Sequence, residues 1–211
     1  MLKTNHDCGG VVIVPNKQAF LSNTKLFNES MQKLKEHLAT NYYELYKEWH
    51  YRDIEARVFG EELLGANLEN QTQDSGQNQS IENDGFQASK ANMVQYKVPN
   101  DYKFHCFSNK ISHIDCIVNR FVKQGEIAMN LQWQPMPFRY QKHPDLLPKK
   151  PDKLESMIKF TQMLCLKTYV RIDLYNTYNQ IYIGEFTFTP AGGADIFTPN
   201  EWDKKLGNMW Q

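Results

Sequence analysis

The residues best suited to chemistry stand at alternate positions in TYVRIDLYNTYNQIYIGEFTFTP, residues 168–190: Arg171 and Asp173 on one arm, Glu185, Thr187 and Thr189 on the other. β-Branched and aromatic residues crowd both arms and Asn-Thr-Tyr-Asn separates them, which predicts two strands joined by a turn. Alternate residues of a strand share a face, so Arg171 and Asp173 project away from Val170, Ile172 and Leu174. A three-residue loop at 177–179 would pair residue 171 with residue 185 and bring a cation, two carboxylates and hydroxyls onto one face. Adjacent carboxylates repel, and a proton, an arginine or a bound cation relieves the cost. Mg²⁺ takes oxygen ligands, commonly one or two carboxylates, with phosphates and water completing its octahedron. Asp173 and Glu185 therefore read either as Mg²⁺ ligands or as a solvated face neutralised by Arg171.

The elements that must position this hairpin lie on both sides of it. A helix is predicted just before it, with Pro151 leading, Asp152 and Glu155 as a capping box, and Leu154, Met157, Ile158, Thr161, Leu164 and Cys165 on one mostly apolar face. After it come a glycine-bearing loop at Ala191-Gly192-Gly193 and a last helix capped by Asn200. Upstream, residues 102–108 and 111–120 read as strands joined by a turn at Asn109-Lys110, with Asp101, Lys103 and Arg120 near the ends. His105 and His113 do not match metal-ligand spacing with other ligand residues and read as ordinary sheet positions. Residues 124–148 read as a long, proline-punctuated connection over the core.

At the N-terminus, Lys3 adjoins Asn5-His6-Asp7-Cys8-Gly9-Gly10, and residues 11–14 read as a buried strand. The hairpin so formed places the Gly9-Gly10 turn where its amides can make an anion-binding concavity, with Lys3 adding positive charge. The alternative is a turn that only reverses the chain. A helix is predicted over 25–39 from Phe27, Met31, Leu34 and Leu38, capped by Asn23 or Thr24, then a short helix within 41–49. Residues 57–64 read as a strand ending at Glu61-Glu62, either solvated charge or the start of a linker. Between residues 65 and 95 the chain is dominated by Asn, Gln, Ser, Asp and Gly, which cannot bury enough apolar surface to offset ordering; it reads as a disordered insertion.

The 211 residues allow one large domain or two small ones with a sizeable core. Lys plus Arg equals Asp plus Glu at 24 each, so no net field draws in nucleic acid or an anionic membrane. Cys8, Cys106, Cys116 and Cys165 are widely spaced, which suggests neither a zinc site nor a disulfide framework. With no signal-like or membrane-spanning run, the expected setting is the cytoplasm.

Taken together, LKTNHDCGG, EWHYRDIEARVFGEELL, VPNDYKFHCFSNK, YVRIDLYN, IYIGEFTFTPAGG and the EWDKKLGNMW tail resemble the TupA-like branch of the ATP-grasp superfamily. The last hairpin is the most specific part: R-x-D on one strand, E-x-T on the next, then proline and glycines. The resemblance implies an α+β ATP-grasp fold with antiparallel sheets and packed helices, holding ATP between two lobes. Residues 1–64 would be an incomplete small lobe and residues 96–211 the large lobe. It implies that Lys3 contacts phosphates and that Gly9 and Gly10 cover them. Glu61, Glu62, Leu63 and Leu64 would form an adenine-binding hinge, with Asp101 near the ribose and Lys103 near the phosphates. Asp173, Glu185 and Thr187 would hold Mg²⁺, Thr187 standing where many members have Asn. Such proteins usually carry a further α/β domain before the lysine strand. Here Met1 lies two residues before Lys3, so that domain is expected to be missing or supplied by a partner.

The implied activity is an ATP- and Mg²⁺-dependent carboxylate–amine ligation through an acyl phosphate, in cell-surface polysaccharide biosynthesis, with Arg171 stabilising transferred charge. A glycosyltransferase-like enzyme and a nucleotide-binding remnant are the alternatives. Asp173→Asn or Glu185→Gln is expected to abolish Mg·ATP turnover and to leave the fold intact.

Overall fold

The computed structural model describes residues 1–64, 66–67, 96–97, 99–118, 125–140, 147–177 and 180–210. They fall into two compact units, Met1–Leu64 and Gly65–Gln211. Strand β4 (Ala66–Asn67) pairs with β5 (Tyr96–Lys97), which follows the stretch read as a disordered insertion; apart from β4, that stretch lies outside the described residues, as does Arg120. No helix among the described residues is long and apolar enough to cross a membrane.

In the first unit, β1 (Leu2–Thr4) is the centre of a three-stranded antiparallel sheet between β2 (Val11–Val12) and β3 (Val58–Gly60). The strands foreseen at 11–14 and 57–64 are shorter because β1 offers only three residues to pair with: Leu2, Lys3 and Thr4 face Gly60, Phe59 and Val58. Helices α1 (Lys17–Ser22), α2 (Thr24–Leu38) and α3 (Tyr42–Tyr46) follow β2. Asn23 caps α2 by accepting from the Leu26 amide at 3.1 Å, and Leu34, with Phe27 and Met31 beside it, packs on Val12 and Phe20. Six-residue α1 is too short to announce itself by periodicity. Asn16 caps it through the Ala19 amide at 3.0 Å.

The Gly9-Gly10 turn has a structural requirement of its own. Gly9 sits at φ +101°, and a Cβ on Gly10 would lie 1.8 Å from Thr4 Oγ1 and 2.9 Å from Thr4 Cβ. Thr4 cannot retreat, because its hydroxyl also bonds the Asp7 carboxylate, which bonds His37. Gly10→Ala should therefore destabilise the chain by about 3 kcal/mol, the upper end for an overpacked site; urea unfolding measures it.

The second unit is built on a five-stranded antiparallel sheet in the order β10-β9-β6-β7-β8. Its strands are β6 (Asp101–Phe107), β7 (Lys110–Val118), β8 (Gly125–Met129), β9 (Val170–Asn176) and β10 (Ile181–Thr187). The β6–β7 turn is centred on Ser108 and Asn109, both at positive φ as a two-residue hairpin turn of the primed type requires, one residue earlier than expected. Strand β8 lies inside the stretch read as a connection; its apolar residues are only Ile127, Ala128 and Met129, too few for a period of two to stand out.

Alternation gives this sheet two unlike faces. Phe104, Cys106, Ile114, Cys116, Ile127, Met129, Val170, Ile172 and Leu174 point to one side, where Leu154 and Met157 of helix α4 (Leu154–Leu164) complete the core. Each fully buried aliphatic side chain there contributes roughly 2 kcal/mol. The start of α4 differs from the expected capping box: Lys153 holds the cap position and makes no capping bond, its Nζ donating to the Thr177 carbonyl at 2.6 Å. Asp152 instead accepts from Asn176 Nδ2 at 2.6 Å, because the end of β9 competes successfully for its carboxylate.

The other face is polar. At one end Phe138, Tyr140, Tyr169 and Leu206 cover it, Leu206 belonging to helix α5 (Glu201–Gly207). Asn200 occupies the position before α5 but makes no capping bond.

Candidate functional site

Two rows of side chains cross the polar face. Register aligns Glu185, Asp173, Lys103 and Asp115 in one row, and Thr187, Arg171, His105 and His113 in the next. The expected pairing of 171 with 185 is therefore corrected: Asp173 faces Glu185 and Arg171 faces Thr187. The loop 177–180 has an even number of residues, since Asn176 pairs with Ile181, and it would by itself put Glu185 on the wrong face. A bulge between Ile183 and Glu185 restores the parity by one residue. Gly184 makes the bulge possible, as a Cβ there would meet Tyr175 Cε2 at 2.8 Å and the Asp173 carbonyl at 3.3 Å.

The Arg171 guanidinium grips Asp173 with two parallel bonds, Nε to Oδ1 at 2.7 Å and Nη2 to Oδ2 at 2.9 Å. The same Nη2 donates to Glu185 Oε1 at 2.8 Å and Thr187 Oγ1 at 2.9 Å. Oxygens of three residues thus converge on one cationic nitrogen. Lys103 bonds Asp173 and lies 3.0 Å from Asp101. Asp101 and Asp173 are each 2% exposed, whereas the Glu185 side chain is 57% exposed. Burial works to raise the Asp173 pKa, but the charges of Lys103 and Arg171 and their hydrogen bonds outweigh it and hold the carboxyl below its usual range.

Six of the residues singled out by sequence are therefore in one network: Asp101, Lys103, Arg171, Asp173, Glu185 and Thr187. The others belong to the first unit. Lys3 Nζ is 2.8 Å from Glu61 Oε2, Gly9 and Gly10 make the turn described above, Glu62 is exposed, and Leu63 and Leu64 are half-buried beyond the end of β3.

A model of the TupA-like ATP-grasp family matches residues 86–211, more than half of the chain and including this whole network. The chain belongs to the TupA-like ATP-grasp family. No curated protein and no solved structure matches it. Mixed helices and antiparallel sheets fit a partial ATP-grasp fold, and ATP-grasp proteins generally use ATP and Mg²⁺.

Further along the same face lies a second cluster that sequence reading did not assemble. His105 Nε2 is 2.7 Å from Asp115 Oδ2, Tyr169 Oη is 2.9 Å from His105 Nδ1, and Tyr140 Oη donates to Asp115 Oδ2 at 2.9 Å. His113 stacks on His105 at 4.3 Å. The legible signal was parity: residues 101, 103 and 105, and residues 113 and 115, share a face on neighbouring strands. Burial favours a raised Asp115 pKa, but the His105 charge and bonds from His105 and Tyr140 bring it down to about 2. Burial and neighbouring His105 lower His113 to about 3.

Glu126, on β8, behaves oppositely: burial, with Asp115 and Asp195 nearby, pushes its pKa up to about 7 from 4.5. A raised folded value means that its contribution to stability is complete below pH 4.5 and is lost as pH rises through 7, a difference of about 3 kcal/mol. Glu126→Gln should be more stable than the wild type by about 2–3 kcal/mol at pH 8 and nearly equal to it at pH 4, read from urea unfolding at both values.

Proposed function

We propose that this TupA-like ATP-grasp protein is an ATP- and Mg²⁺-dependent carboxylate–amine ligase that works through an acyl phosphate in cell-surface polysaccharide assembly. The observation that carries the reading is the convergence of Asp173, Glu185 and Thr187 oxygens on Arg171 Nη2. Two carboxylates and a hydroxyl form an all-oxygen donor set that suits Mg²⁺, and the point they share already holds positive charge. Asp173, Glu185 and Thr187 would hold the metal. When bound, Mg²⁺ neutralises charge on the phosphates during phosphoryl transfer.

In the ligation, an acid's carboxylate oxygen bonds to the γ-phosphorus as the bond to the β-phosphate bridging oxygen breaks, giving an acyl phosphate and ADP. An amine then attacks the acyl carbon, phosphate leaves, and the ammonium proton is lost to form an amide. No side-chain nucleophile is required. Arg171 and Lys103, held by carboxylates, would turn their charge toward the transferred phosphoryl group, and Asp101 would approach the ribose. In the first unit, Lys3 and the Gly9-Gly10 turn would contact phosphates, with residues 61–64 receiving the adenine.

Incubation with Mg·ATP and panels of acids and amines tests the reading. ADP and phosphate released in step with amide are expected; UDP release from a nucleotide sugar, or no turnover with any pair, would count against it.

A further inference from the structure

The cluster beneath the C-terminal segment has the features of a metal site, separate from the Asp173–Glu185 network. Both histidines present Nε2 to Asp115: His105 Nε2 lies 2.7 Å from Oδ2, His113 Nε2 lies 3.7 Å from Oδ1, and one ligand atom from each residue falls within 4.8 Å of the others. Both histidines have the far nitrogen held by a hydroxyl, His105 Nδ1 by Tyr169 at 2.9 Å and His113 Nδ1 by Ser112 at 3.1 Å. Rings oriented through Nδ1 with Nε2 converging on a carboxylate match the outer-shell arrangement of metal-binding histidines.

Two buried atoms of the cluster lack a hydrogen-bond partner among the described residues: His113 Nε2 and Asp115 Oδ1. Their 3.7 Å separation decides what suits them. It is too long for a direct hydrogen bond. A bridging water with two bonds of ~2.8 Å would be squeezed to an angle of about 80°. An ion at ~2.1 Å from each would subtend about 120°, within the range of tetrahedral or five-coordinate sites. Charge points the same way. Asp115 is 2% exposed, and among the described residues the basic groups facing its carboxylate are the imidazoles of His105 and His113, the latter 3.7 Å away; Lys103, opposite it in register, is engaged with Asp101 and Asp173.

We infer that His105, His113 and Asp115 bind a transition-metal ion of the Zn²⁺ or Co²⁺ class, with an open coordination position toward the adjoining pocket. Two imidazoles and one carboxylate select such an ion over Mg²⁺, which prefers oxygen. The pocket, of about 230 Å³, is lined by His105, His113, Tyr140, Tyr169, Gly192 and Asp195 among others, and supplies the entry path. The two rings now stack at 14°, so on binding the His105 ring turns to bring its Nε2 lone pair from Asp115 onto the metal, and its Nδ1–H donates to the Tyr169 oxygen. The inference does not depend on the ligase reading, because its test needs no turnover.

Purified full chain, stripped with chelator, is titrated with Co²⁺ and followed by its visible d–d absorption. One equivalent should bind with tetrahedral or five-coordinate bands, Zn²⁺ should displace it, and a large excess of Mg²⁺ should not. His113→Gln should lose the bands while far-ultraviolet circular dichroism stays unchanged. Ser112→Ala, which leaves every ligand in place, should weaken Co²⁺ by about tenfold to a hundredfold, and this keeps the test valid if the buried variant fails to fold. The inference is overturned if the wild type shows no such bands, if His113→Gln binds Co²⁺ equally well, or if Ser112→Ala leaves the affinity unchanged.

Discussion

Replacing Glu185 with Gln should reduce Mg-dependent ATP turnover by about a hundredfold to a thousandfold, the range for losing one preorganised charge-stabilising group, while barely moving the unfolding midpoint. The two effects separate because of where this carboxylate stands. Its side chain is 57% exposed and bonds to Arg171 Nη2 and Thr187 Oγ1 at the rim of the network, and exposed ion pairs are typically worth under about 1 kcal/mol. Gln keeps the shape and one acceptor oxygen but removes the negative charge that a divalent ion requires. ADP release under saturating Mg·ATP, read beside thermal unfolding of the same preparation, checks both halves.

Asp173→Asn should behave differently, and here the structure corrects the expectation that both substitutions leave the fold intact. Asp173 is buried, and its oxygens bond Arg171 and Lys103. Removing its charge leaves two buried cations, Lys103 and Arg171, with Asp101 and Glu185 as their remaining carboxylate partners among the described residues. Breaking a buried pair in this way costs about 3–5 kcal/mol. Turnover should be lost together with a large fall in the urea midpoint. The pH dependence has a definite sign. Because the folded carboxyl titrates below its unfolded value of 3.8, its stabilisation is complete above that value and is lost as pH falls through the lower folded one. The stability gap between wild type and Asp173→Asn should therefore narrow as the pH is lowered below 4.

How much of this was legible in the sequence depended on whether information was local. Strand alternation is local, so Arg171 and Asp173 could be placed on one face, and the apolar period marked α2 and α4. The meeting of Asp173 with Glu185 required the parity of a loop plus a bulge, and Gly184, an ordinary residue in the sequence, supplies the missing step. Asp152 looked like a helix cap because Asp-x-x-Glu is a local pattern, but Asn176, distant in sequence, takes its carboxylate. The same blindness to pairing hid the His105–His113–Asp115 cluster: ten residues separate His105 from Asp115, and only the β6–β7 hairpin, with its irregularity after His105, brings them together. Gly9 and Gly10 invited a ligand-based explanation, whereas the close approach of Thr4 already demands glycine at the second position.

The most direct test of the Asp173–Glu185–Thr187 site is calorimetric titration of a non-hydrolysable ATP analogue into the wild-type and Glu185→Gln chains, with Mg²⁺ and with EDTA. The wild type should bind the analogue more tightly with Mg²⁺ than with EDTA, and Glu185→Gln should bind it equally in both. Equal affinity of the wild type in both buffers, or an undiminished Mg²⁺ effect in Glu185→Gln, would contradict the assignment.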